Sequence, residues 1–305
     1  MDQLFDVSLF NSTLRMVAPI LLAALGGAIC ARTGVFNVAL EGWMLTAAFA
    51  AIVGNHFFHN VWLAVLFAVA CVTVMALLFA VLTVHLNANV IVVGLAFNFL
   101  AAGLTAYGLF AVFGVKGSFY DRNMEGLPRW NLPLAEDIPF VGDVLSGHSP
   151  LVYLAFVLAF ALQFYLFRTV WGFRLLAAGE HPSAAASVGL RVNRIRIGAI
   201  LLSGMLCGLA GAQLSLGQVT LFTENMTAGR GFIALVASML GQNNPLGVML
   251  ASLLFGLTDA FGIRLQGFSL PAQFTMMVPY VMTLAAMFFF KDRAYLRQSG
   301  RSEGR

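Results

Sequence analysis

Residues 172–196 read GFRLLAAGEHPSAAASVGLRVNRIR and lie between two long apolar runs, 150–168 before and 196–219 after. Arg174, Arg191, Arg194 and Arg196 are opposed by one acid, Glu180. Pro182 opens a run of small residues and Gly189 closes it. Proline suits the first turn of a helix and glycine the position after its last. A basic, partly helical loop held between two membrane-length segments is a docking surface for a soluble partner. That arrangement suits a transport subunit better than an enzyme.

Composition agrees. Of 305 residues, 60% are hydrophobic and 10% are charged, and mean hydropathy is +0.88. Soluble domains carry about 25% charged residues. Apolar runs fall at roughly 13–31, 37–54, 61–86, 90–113, 150–168, 196–219, 231–241, 246–265 and 271–290. Most have the ~20 residues that a bilayer core requires, and the alternating ten-residue pattern of an outer-membrane barrel is absent. The expected fold is an all-α polytopic membrane protein, one domain over 1–305, with about 8–10 transmembrane or re-entrant helices. The 231–241 run is too short to span and is expected to be a half-helix packed inside protein. The acidic start MDQLFDVSLF lacks the basic region of a cleavable signal. Cys30, Cys71 and Cys207 lie in apolar runs as small apolar residues rather than disulfide or metal partners.

Lys/Arg bias sets the expected orientation. The 168–196 loop holds five arginines against Glu180, and the tail holds Lys291, Arg293, Arg297, Arg301 and Arg305 against Asp292 and Glu303. Both belong in the cytoplasm. The 114–149 loop is net acidic and belongs outside, which also puts the N-terminus outside. With net charge +4 spread in this way, the excess reads as topology, and nucleic-acid binding has no support. An internal repeat adds to this picture. Ala39-Leu40-x-x-x-Met44-Leu45 recurs as Ala234-Leu235-x-x-x-Met239-Leu240, after Gly34 in one copy and Gly229 and Gly231 in the other. Ile20-Leu21-Leu22 is echoed by Ile200-Leu201-Leu202. The paired segments run oppositely in this topology, the pattern of an inverted repeat whose interface forms a transport path. Chance is the alternative in a chain so rich in Ala and Leu.

Polar residues inside the spans are the functional candidates. Glu41, close to Asn37 and bracketed by Gly34 and Gly42, either lines a substrate path or caps a broken helix. The plainer reading is a carboxylate at a membrane edge, capping nearby N–H groups. Asn98 needs an interhelical partner. Asp259 and Arg264 are expected to pair or to reach an interface. Gly217 to Gly231 reads as an outer loop or gate and includes Gln218 among the substrate-path candidates. Arg230 there opposes a helix dipole, so a carboxylate partner such as Glu224 is expected. His56 and His59 have metal-compatible spacing but read as an interfacial loop. No nucleotide-binding loop, metalloprotease motif or nucleophile elbow is present, so no cofactor and no catalytic residue are assigned to this chain.

Five stretches carry a family resemblance: LAALGGAICARTGVFNVALEGWML, NVIVVGLAFNFLAAGL, AAGEHPSAAASVGLRVNRIRIGAILLSGMLCGLAGA, NMTAGRGFIALVASMLGQNNPLG and LPAQFTMMVPYVMTL. In order and spacing they resemble the permease subunits of bacterial ABC importers. The branch is that of the ribose-type and branched-chain amino-acid permeases, closest to the nucleoside and simple-sugar members, over about residues 15–290. The resemblance implies that Gly179, Glu180, Pro182, Ala185 and Gly189 form a coupling helix for a separate cytoplasmic ATPase, which holds the ATP and Mg2+. It implies a second permease subunit, identical or different, a periplasmic or lipoprotein binding protein, and residence in the inner membrane. Nucleoside is the expected solute and simple sugar the alternative. An ion-coupled carrier using Glu41 or Asp259 is the competing reading from another class.

Overall fold

The computed structural model describes residues 7–122, 124–130, 146–265 and 281. The apolar run 271–290, the basic tail and residues 131–145 fall outside the described residues. At the centre is α1 (Val7–Arg32), buried almost continuously from Val17 to Cys30. Around it pack α2 (Leu40–Phe58), α5 (Pro150–Arg168), α8 (Val192–Ala212), α9 (Arg230–Leu240) and α10 (Pro245–Leu265). Farther out lie α3 (Val61–Ala80) and α4 (Val90–Phe113), which show much of their apolar surface. The segment quoted at the outset folds as two short helices, α6 (Val170–Glu180) and α7 (Pro182–Ser187).

Six of the described helices are long and apolar enough to cross a bilayer: α1, α3, α4, α5, α8 and α10. With α2 and the short α9 they account for eight of the nine apolar runs. Local chemistry sets their ends. Asn60 Oδ1 accepts from the N–H groups of Trp62 and Leu63 (2.9 and 3.2 Å), and Asn89 Oδ1 from those of Ile91 and Val92 (3.0 and 3.2 Å). These two asparagines cap α3 and α4. Pro150, Pro182 and Pro245 open α5, α7 and α10, where the missing N–H leaves nothing unsatisfied. A π-helical turn, Val81–His85, follows α3, and a second, Gln213–Val219, follows α8.

Close packing of α8 depends on small residues. A Cβ added at Gly204 would lie 2.6 Å from Ala76 Cβ of α3, and one at Gly208 would lie 2.8 Å from Val69 Cα. Spaced four apart, these glycines let two helices approach where lipid supplies no hydrophobic drive.

The bundle has two distinct ends. Asn11 at the start of α1 donates to Ser146 O (3.2 Å), and Asn55 near the end of α2 donates to Glu125 O (2.9 Å). At this loop end β1 (Ser118–Phe119) pairs antiparallel with β2 (Phe222–Thr223). The two long connections flanking α4 and α8 are thereby joined. At the opposite, basic end Arg196 Nε donates to Thr33 O (3.2 Å) and Arg32 reaches Asn243. These contacts fix directions: α1 runs from loop end to basic end and α8 returns beside it. The α2 helix runs toward the loop end and α9 toward the basic end. The antiparallel sense of both repeat pairs is therefore present, and Gly34 and Gly229 share a left-handed backbone (φ 81° and 83°). Helical register is not shared: Ala39 precedes α2, whereas Ala234 already lies within α9.

Candidate functional site

Residues 35–39 leave α1 and turn back into the bundle before α2 begins. Asn37, almost wholly buried, organises this turn. Its Oδ1 accepts from Ala39 N (3.0 Å) and its Nδ2 donates to Ser203 Oγ of α8 (3.2 Å). Asn98 reaches in from α4: its Oδ1 accepts from Gly42 N (2.8 Å) and its Nδ2 donates to Val38 O (3.0 Å). One amide thus satisfies a donor at the start of α2 and an acceptor just before it. Gly42 admits this approach, since a Cβ there would lie 2.8 Å from Asn98 Cα.

Glu41 joins this interrupted helix to the other one. Its Oε1 accepts from Gly229 N (2.9 Å) and its Oε2 from Gly231 N (2.6 Å). These are N–H groups at the start of α9, where a helix leaves donors unsatisfied and carries a partial positive charge. The α2 and α9 helices therefore meet start to start, with one carboxylate between them. Gly231 is the position where only a hydrogen fits, because a Cβ would penetrate Glu41 Cα. Of the readings open from sequence, the geometry is that of a cap on a broken helix.

Arg230, between those glycines, turns the other way. Its Nε and Nη2 lie 3.3 and 3.1 Å from Asp259 Oδ2 on α10, with the side chains 17% and 18% exposed. This corrects the Glu224 partner expected for Arg230 and removes one of the two expectations for Asp259 and Arg264, that they pair with each other. Glu224 is held at the loop end by the β1–β2 pair, its Oε1 accepting from Gly117 N (2.9 Å). Arg264 lies five residues beyond Asp259, on another face of α10, and its Nη2 donates to Ser8 Oγ.

Gln218 does not join Asn37, Glu41 and Asn98. It lies toward the loop end, where its Nε2 donates to Arg15 O (2.9 Å). The cause is Pro19, which has no N–H to offer the carbonyl four residues earlier. Gln218 replaces that missing backbone bond. His56 departs from its expected loop setting too: it belongs to α2, and its Nδ1 lies 3.7 Å from Asp121 Oδ2. Among the described residues no three His, Cys, Asp or Glu side chains group as metal ligands.

At the basic end, α7 is the small-residue turn foreseen from Pro182 and Gly189. Pro182 is its first residue, Ala185 is buried, and Gly189 just past it has φ 85°. Glu180 is exposed, and Gly179 packs so closely on α1 that a Cβ would overlap Arg32 O. Arg32 was not singled out from sequence. Its Nε donates to Asn243 O (2.9 Å), its Nη2 to Gln242 O (3.0 Å), and its guanidinium lies over the Phe167 ring. Gln242 and Asn243 are consecutive left-handed residues (φ 54° and 52°), a conformation costing about 1 kcal/mol or more for each non-glycine residue. The only signal in sequence was Arg32 at the end of an apolar run.

Residues 9–287 match the family described as the permease component of the branched-chain amino acid transport system. The chain belongs to that permease family. It is similar to the nucleoside ABC transporter permease protein NupC of Lactococcus lactis, at 36% identity over 90% of each chain. It is similar to the guanosine ABC transporter permease protein NupQ of Bacillus subtilis, at 34% identity over 93% of this chain and 92% of that one. A putative glucose ABC transporter permease protein, TsgC13 of Haloferax volcanii, is 32% identical over 87% of this chain and 80% of its own. The fold resembles that of a putative metal-chelate type ABC transporter solved in an inward-facing conformation. That match has TM-score 0.55 and 15% identity and covers 91% of this chain and 85% of that one. In this ABC permease the interrupted helices α2 and α9 meet inside the bundle, and the α6–α7 segment caps its basic end.

Proposed function

We propose that this permease carries nucleosides inward across the bacterial plasma membrane as one subunit of an ATP-driven importer. The observation that carries the solute class is the likeness to a nucleoside and a guanosine permease over nine-tenths of this chain. The α6–α7 segment, with Gly179, Glu180, Pro182, Ala185 and Gly189, docks on a separate ATPase, which binds ATP and Mg2+ and performs the hydrolysis. The basic end and the C-terminus lie in the cytoplasm, and the loop end receives solute from a periplasmic or lipoprotein binding protein. A second permease subunit, the same or a different chain, completes the path, which passes beside Asn37, Glu41 and Asn98. ATPase closure pulls on α7 and rocks the subunits between outward- and inward-facing states.

A carrier that binds protons at Glu41 or Asp259 is disfavoured by the site. Glu41 already accepts two backbone N–H groups and Asp259 is paired with Arg230. Simple sugar is the second reading for the solute, on the likeness to the Haloferax volcanii relative. The test is uptake into liposomes holding the assembled importer, with labelled guanosine, uridine and glucose offered singly and in competition. ATP-dependent nucleoside uptake that glucose does not displace is the expected result. Glucose uptake indifferent to nucleosides would transfer the chain to the sugar class. Accumulation by this chain alone, under a proton gradient without nucleotide, would overturn the whole reading.

A further inference from the structure

The short helix α9 is held at both ends by one stretch of chain. At its start, Glu41 accepts from Gly229 N and Gly231 N (2.9 and 2.6 Å). Just past its end, Arg32 donates to the carbonyls of Asn243 and Gln242 (2.9 and 3.0 Å). The anion stands at the positive end of the helix and the cation at the negative end, the favourable sense at each. The same stretch is seated against the α6–α7 segment and the ends of the two helices that flank it, α5 and α8. Gly179 packs on Arg32 O without room for a side chain, Arg196 Nε donates to Thr33 O (3.2 Å), and Phe167, at the end of α5, lies under the Arg32 guanidinium. The turn that Arg32 grips is left-handed at Gln242 and Asn243. It therefore has a conformation to relax into when that grip is lost.

We propose that residues 32–41 and α9 move as one body, and that Arg32 is the positioning residue joining this body to the α6–α7 segment. Displacement of α7 is passed through Gly179 of α6 and Arg196 at the start of α8 to the end of α1, and Arg32 carries it across to the turn after α9. The start of α9, fixed to Glu41, then moves with α2. Arg32 touches no solute in this scheme: it links the motor's stroke to the interrupted helices.

The proposal rests on the importer reading, and one experiment separates the two. The complete importer, with its ATPase and binding protein, is reconstituted with wild-type chain, R32K or R32A, and uptake and ATP hydrolysis are measured on the same vesicles. Lysine keeps the charge but not the two-pronged donor geometry. Uptake per ATP should fall about tenfold in R32A and by a smaller factor in R32K, within the range of coupling between distant sites. Complex assembly and ATP hydrolysis should persist. If R32A fails to assemble, the R32K ratio decides. A ratio unchanged in R32K and, where it assembles, in R32A overturns the joint, whether or not uptake and hydrolysis fall together. Absence of ATP-dependent uptake in wild type overturns the importer reading instead.

Discussion

Glu41 satisfies two backbone donors that no other described side chain accepts from, so its chemistry can be tested by small changes. In Glu41→Gln one carboxylate oxygen becomes an NH2 group, which cannot accept. One N–H at the start of α9 is orphaned and the charge facing the helix is lost. A loss of about 2 kcal/mol is expected, the scale of a hydrogen bond to a charged group. It should appear as a lower thermal midpoint of the purified permease in detergent. Asp259→Asn should be of similar size, about 2 kcal/mol, because it strands the Arg230 guanidinium in a mostly buried place. The double variant Arg230→Gln with Asp259→Asn should recover most of that loss, since neither partner is then left charged alone. Equal midpoints for the single and double variants would show that the pair is not the source of the effect.

Among the helices, Pro19 and Gln218 make a matched pair. Replacing Gln218 by Ala should lower stability by about 1 kcal/mol or more, because Arg15 O loses its donor. In a Pro19→Ala background residue 19 regains an N–H for that carbonyl, and the same change should be nearly neutral. A double-mutant cycle on chemical unfolding measures the difference, and purely additive effects would refute the replacement of one donor by the other. This pair also shows what sequence could reveal. Apolar runs and the Pro182–Gly189 turn were readable because each is decided within a few residues. The short α9 was readable by its length, and Glu41 by its charge in a span. The partner of Glu41 was not, since 188 residues separate it from Gly229. Arg230 was assigned the wrong acid for the same reason: Glu224 is near in sequence, whereas Asp259 is brought near by α10. Gln218 was a path candidate as a polar residue of the Gly217–Gly231 stretch, and its bond to Arg15 O was not readable because 203 residues separate the two.

For the whole molecule, the two ends should face different compartments. Cysteine placed at exposed Ser183 in α7 should react with a membrane-impermeant maleimide only after the membrane is broken. One placed at exposed Ser118 in β1 should react in intact spheroplasts. Native Cys30 and Cys207 are buried, and half-buried Cys71, within the apolar helix α3, is replaced by Ala in the background used. Labelling of both sites in intact spheroplasts, or of Ser183→Cys alone, would refute the orientation. The meeting of α2 and α9 has a consequence for insulation. Two helix starts, each worth about half a positive charge, converge on the single negative charge of Glu41, while Arg230 is cancelled by Asp259. Among the described residues the charges at this meeting point sum close to zero, so it offers a stray proton or sodium ion no uncompensated partner. On the proposed path an uncharged solute loses nothing at this point, and the ion gradients on which the cell runs are not short-circuited there.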